Sequence, residues 1–152
     1  MPAIEHSVVI NRPLEDVFAY LVDIEKQLQW QAGLLKSEVT SRGPMGVGTT
    51  YLQVGQLIGH TIEWNSEVTE YTPNRILSFR SVAGSFTIRG RVTFEAIQGS
   101  ARVSIAIEAD VEGIWSGPLL TDMVKTRIEA NLSNAKNILE SQVWHEPGAS
   151  PL

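Results

Sequence analysis

The spacing of apolar residues along the chain changes twice, and each change marks a new kind of element. Ile4, His6, Val8 and Ile10 recur at every second position, the period of a strand with one covered face. The spacing then lengthens. Leu14, Val17, Phe18 and Leu21 form a helical stripe, with Asn11 as a candidate N-cap, Pro13 suited to the first turn, and Glu15 and Asp16 complementing the dipole. A second short helix is expected from Asp23, another cap candidate, to about Trp30, where Gln31-Ala32-Gly33 breaks it.

From Ser37 to Asp110 the period returns to two, interrupted only by turn residues. Strands are expected over Ser37 to Arg42, Thr49 to Gly55, His60 to Tyr71, Arg75 to Ser81, Phe86 to Glu95 and Arg102 to Glu108. The third places His60, Ile62, Trp64, Ser66 and Val68 on one face and Thr61, Glu63, Asn65, Glu67 and Thr69 on the other. Phe86, Ile88, Gly90, Val92 and Phe94 alternate with Thr87, Arg89, Arg91, Thr93 and Glu95, the strongest strand pattern in the chain. Gly43-Pro44-Met45-Gly46-Val47-Gly48 superficially resembles a phosphate loop, but no Lys-Ser/Thr follows and strands flank both sides, so it reads as a turn.

The last element is a single long helix, from about Pro118 to Gln142. At about 100° per residue, Thr121, Val124, Ile128, Leu132, Ala135 and Leu139 fall on one narrow stripe flanked by Leu120, Asn131 and Ile138, while Asp122, Glu129, Lys136 and Glu140 point away. Strands that follow one another without helices pair antiparallel, because a parallel crossover needs about a dozen residues or more. The expected class is therefore α+β: one antiparallel sheet, two short helices after its first strand, and a long C-terminal helix around which the sheet curls. That geometry leaves space between helix and sheet. Residues 1–142 are expected to make one domain and 143–152, rich in Pro, Gly and Ser, a disordered tail.

Composition narrows the function. A chain of 152 residues, 43 % hydrophobic and 19 % charged, has the balance of an ordinary globule. A net charge of −5 argues against a nucleic-acid partner, which needs a basic face. The absence of cysteine removes disulfides, thiol catalysis and Cys-based zinc sites. Met1 to Glu5 has no basic segment leading into an apolar stretch, and no apolar run approaches the ~20 residues of a membrane span, so a cytoplasmic protein without a signal peptide is expected. The three histidines, His6, His60 and His145, share no metal-binding spacing, and neither a metal nor any other cofactor is expected. Both a monomer and a homodimer remain open.

The expected ligand is a hydrophobic or aromatic small molecule held between sheet and helix. Trp64, sharing the inward face with His60, offers a large apolar wall and one donor. Phe79, Ile107 and Val124 are expected beside it. Tyr51 and Gln53 share one parity, so if the tyrosine packs inward the amide does too and needs a partner. Asn131 sits beside the buried helix stripe. His6 and His60 have the inward parity that a proton-transferring imidazole would need. Arg89 and Arg91 have outward parity, opposite Glu67, Glu95 or Glu108.

Three stretches together carry a family resemblance: Val9-Ile10-Asn11-Arg12-Pro13 leading to Val17-Phe18, then Glu67-Val68-Thr69-Glu70-Tyr71-Thr72-Pro73 before Arg75-Ile76-Leu77, and the closing helix. They resemble the polyketide cyclase/dehydrase group of the START-like, or SRPBCC, superfamily, from about Ile4 to Glu140. The resemblance implies the helix-grip fold: a curved seven-stranded antiparallel sheet around the C-terminal helix, with a cavity for hydrophobic molecules. It implies no catalytic residue position by position. Ligand binding is therefore the leading expectation, and a cyclase or dehydratase using His6 or His60 as acid/base is the alternative.

Overall fold

The structure, a computed structural model, describes residues 4–57, 59–83, 86–110 and 118–141. Its elements run β1 (Ile4–Ile10), α1 (Leu14–Val22), α2 (Gln27–Trp30), β2 (Leu34–Val39), β3 (Thr50–Leu57), β4 (His60–Thr72), β5 (Ile76–Ala83), β6 (Phe86–Ile97), β7 (Ser100–Asp110) and α3 (Pro118–Ser141). The seven strands form one antiparallel sheet in the order β1-β7-β6-β5-β4-β3-β2. β2 to β7 is thus a meander of neighbours, and β1 closes its far edge against β7. The helices α1 and α2 carry the chain from one edge of the sheet to the other.

Local chemistry explains the boundaries, with three corrections. Asn11 does not cap α1: Pro13 holds the N-cap position, and its carbonyl receives the N–H groups of Asp16 and Val17, both at 3.1 Å. Asn11 instead anchors other elements, its N–H donating to Glu140 Oε2 at 2.7 Å and its Oδ1 accepting from Ser100 Oγ at 3.0 Å. The second helix is one turn shorter than expected, because Asp23 Oδ1 accepts the Lys26 N–H at 3.2 Å and holds residues 24–26 in a turn. β2 begins at Leu34 rather than Ser37, since Gly33, at φ +80°, turns the chain straight into pairing with Gly55.

The largest departure lies in β4. Its alternation holds to Val68 and then breaks at a register shift between Val68 and Glu70. A bulge adds one residue, so the side chains beyond it change face. Tyr71 is thereby brought to the core, where its ring lies 5.8 Å from that of Phe18, which meets Phe94 edge-on at 4.9 Å. Strict alternation would have sent Tyr71 into water.

Burial along α3 follows the expected stripe but is graded. Thr121 and Val124 are half-buried, Ile128 is 8 % exposed, Leu132 4 %, and Ala135 and Leu139 are fully covered. Lys136 and Glu140 were expected to point into water; both are half-buried. Lys136 Nζ donates to the Val9 carbonyl and to Glu140 Oε2, each at 2.6 Å, and Glu140 receives Asn11. These bonds fasten the end of α3 to the corner where β1 leaves the sheet. On the solvated face, Arg89 stands opposite Glu108, Arg80 opposite Glu67, Arg91 Nε lies 3.2 Å from Glu70 and Arg102 3.8 Å from Glu95. The basic residues are therefore part of an outward charge lattice. Among the described residues no helix is long and apolar enough to cross a membrane. The expected tail lies outside the described residues.

Leu132→Ala should cost about 2–5 kcal/mol, since it removes a buried side chain from between α3 and the sheet, whereas exposed Glu129→Ala should stay within about 0.5 kcal/mol. Urea unfolding of the two variants checks this, and equal midpoints would refute the assigned helix face.

Candidate functional site

Where α3 loses contact with the sheet, the space beneath it is a cavity of about 290 Å³. Its floor is the inner face of β3 to β7 and its roof is α3 at Val124, Arg127, Ile128, Asn131 and Leu132. One end is closed by Leu21 and Val22 of α1 and by Gln27, Trp30 and Gln31 around α2. No Asp, Glu or His lines it among the described residues.

Two glycines set the shape of the floor. Phe79 pairs directly with Gly90 across β5 and β6, and a Cβ at Gly90 would stand 2.2 Å from the Phe79 Cζ. A Cβ at Gly55 would stand 2.9 Å from the Trp64 indole. Both rings therefore lie down against bare backbone instead of standing up into the space above the sheet.

The polar groups of the cavity form two rows dictated by strand register. In the first, Tyr51 opposes Ser66 and Ser66 opposes Ser81. Ser66 hydrogen-bonds Tyr51, and the two serine hydroxyls lie 2.6 Å apart. Burial pushes the Tyr51 phenol up to about 12, against a smaller opposite effect of the Ser66 bond. It stays neutral at physiological pH.

In the second row Trp64 opposes Gln53 and Gln53 opposes Ser37. Trp64 Nε1 donates to Gln53 Oε1 at 2.8 Å, and Gln53 Nε2 donates to Ser37 Oγ at 3.0 Å and to Gln27 Oε1 at 2.6 Å. Ser37 Oγ donates in turn to the Ile24 carbonyl at 2.5 Å, and Gln31 Nε2 also donates to Gln27 Oε1, at 2.9 Å. An indole can only donate, so every amide in this chain has one possible orientation. Buried Gln53, at 4 % exposure, is satisfied through both of its ends.

Of the residues singled out in the sequence, the fold brings Trp64, Tyr51, Gln53, Phe79, Ile107, Val124 and Asn131 to the cavity lining. His60 is not with them. It keeps its inward parity, but it is the first residue of β4, exposed at the strand's wet end. His6 is half-buried on β1, the strand against which α3 packs, and it does not line the cavity either. Gln27, Trp30, Gln31, Ser37 and Arg127 were not singled out. Gln27 is 8 % exposed while its neighbour Leu28 is 44 % exposed, the reverse of what polarity suggests. The one available signal was the demand for a partner that burying Gln53 creates. Among the described residues no three His, Asp or Glu side chains gather as metal ligands.

This sheet, helix and cavity define a START-like helix-grip protein. The chain belongs to the polyketide cyclase/dehydrase and lipid transport family, whose model matches residues 1–140. None of the curated proteins matches it in sequence. Among solved structures it is similar to a Thermus thermophilus protein, with 20 % identity, 94 % of this chain and 100 % of that one covered, and a TM-score of 0.80. A START superfamily protein from Mycobacterium smegmatis aligns at 13 % identity over 93 % and 99 % of the two chains, TM-score 0.82. The Zhui aromatase/cyclase from Streptomyces sp. R1128 aligns at 16 % identity over 91 % of each chain, TM-score 0.67. At these identities the likeness is one of fold.

Two outcomes are expected. Because the folded Tyr51 holds its proton to about 12 while the unfolded one releases it near 10, the fold binds more protons between those values and stability falls as pH rises through them. The loss should be on the order of 2–3 kcal/mol, and Tyr51→Phe should lack it in denaturant unfolding between pH 9 and 12, values bracketing the free phenol near 10. Gly90→Ala should cost about 1–3 kcal/mol by overpacking and push Phe79 up into the cavity, which a crystal structure of the variant would show.

Proposed function

We propose that the protein binds a hydrophobic or aromatic small molecule, unchanged, in the cavity between sheet and α3. The observation that carries this reading is the lining itself: aliphatic and aromatic walls, and polar groups that mostly satisfy one another. Apolar walls with a few fixed donors suit retention of a small molecule. Family membership supports the same reading in general terms, through lipid transport as much as through cyclisation.

The cyclase or dehydratase alternative has less support. A dehydration or aldol step needs an acid/base within about 3 Å of the reacting atoms or one water away. The two residues expected to fill that role, His6 and His60, lie outside the lining, and Tyr51 is held neutral by burial. Trp64, Tyr51, Gln53, Phe79, Ile107, Val124 and Asn131 are the proposed ligand contacts. The compartment proposed is the cytoplasm.

An environment-sensitive hydrophobic dye should bind at about one site per chain and be displaced by acyl or aromatic compounds. Trp64→Ala should change its affinity, because that indole forms a wall. Native mass spectrometry of freshly purified protein would identify a retained ligand. Failure of every such probe to bind would refute the reading.

A further inference from the structure

The polar end of the cavity, where α2 meets α3, has an unusual bias. Gln27 Oε1 is occupied by Gln53 and Gln31, and no hydrogen bond is made by its Nε2 among the described residues. Asn131 Oδ1 accepts the Ala32 N–H at 3.0 Å, a donor that fixes the amide, so Asn131 Nδ2 is likewise left as an N–H group without a partner among the described residues. The Trp30 indole N–H also has no partner among the described residues. One turn before Asn131 on α3, Arg127 lines the same cavity half-buried. Its Nη1 donates to the Gln56 carbonyl at 2.7 Å, which uses one of its five N–H groups. It makes no ion pair among the described residues, and no carboxylate lines the cavity.

These groups belong to one junction. Asn131 is tied to Ala32, Gln31 is tied to Gln27, and a Cβ at Gly33 would be 3.6 Å from both terminal nitrogens of Arg127. Among the described residues the donors left without partners there, on Gln27, Asn131, Trp30 and Arg127, outnumber the acceptors, of which Gln31 Oε1 is one, and one side chain carries a full positive charge. The complement of such an end is an acceptor-only group with negative charge. A neutral hydrocarbon would leave the donors unmet, and an amine would face a like charge.

Building on the ligand-binding reading above, we propose that the ligand is an amphipathic acid. Its carboxylate is held at this polar end by Arg127, with Asn131 and Gln27 as further donors, and its apolar body lies along the floor toward Trp64 and Phe79. A guanidinium meets a carboxylate through paired N–H groups, a stronger contact than any neutral hydrogen bond. The net charge of −5 does not oppose this, since the acidic side chains of the described residues lie away from the cavity lining.

The test compares dodecanoic acid, methyl dodecanoate and dodecylamine as competitors of a neutral hydrophobic dye, all below their aggregation thresholds. The acid should displace the dye at a concentration at least about ten-fold lower than the ester, as one charge-assisted contact predicts. Arg127→Gln should bring the acid to the ester's level and leave the ester unchanged, and Arg127→Glu should turn the preference toward the amine. Equal binding of acid and ester to the unaltered protein would overturn the proposal and leave the general binding reading standing. So would an acid preference that survives in Arg127→Gln, or a variant in which acid and ester weaken together. If neither the dye nor any competitor binds, both readings fall.

Discussion

One helix cannot fill the concave face of a seven-stranded sheet, and the rest of this molecule follows from where α3 makes contact and where it does not. Its C-terminal end is sealed: Ala135 and Leu139 are buried, and Lys136 and Glu140 fasten it to Val9 and Asn11. Its N-terminal half, with Val124 and Arg127 only half-buried, roofs the cavity. Stability and binding are thus divided along a single element. Close packing at one end holds the helix at a fixed distance from the sheet at the other.

The floor is kept open by a complementary device. Large aromatic side chains ordinarily fill the space they face, yet Phe79 and Trp64 lie against Gly90 and Gly55 and cover the sheet without closing the cavity. The polar rows then follow from register. Trp64, Gln53 and Ser37 are successive cross-strand partners, so antiparallel pairing by itself sets up the hydrogen bonds that hold the amides in one orientation. That fixed orientation is what leaves the Gln27 Nε2 group without a partner among the described residues.

Period and wheel were enough to determine the elements, the antiparallel sheet, the long helix with its apolar stripe and a cavity between them, because each strand and helix buries one face and the residues of that face repeat at a fixed spacing. The same parity put Tyr51, Gln53 and Trp64 together on the inner side. Tertiary structure alone decided the rest. The β4 bulge moved Tyr71 inside, because a register shift is a property of two paired strands and leaves no mark on the alternation of one. His60 kept its parity but stood beyond the cavity, because parity gives a face and not a position along it. Gln27 and Arg127, polar residues on helices, were not singled out by the sequence pattern. Only the meeting of α2, β3 and α3 made one a buried hydrogen-bond hub and the other a cation in the cavity lining, since burial of a polar group depends on partners supplied by distant parts of the chain.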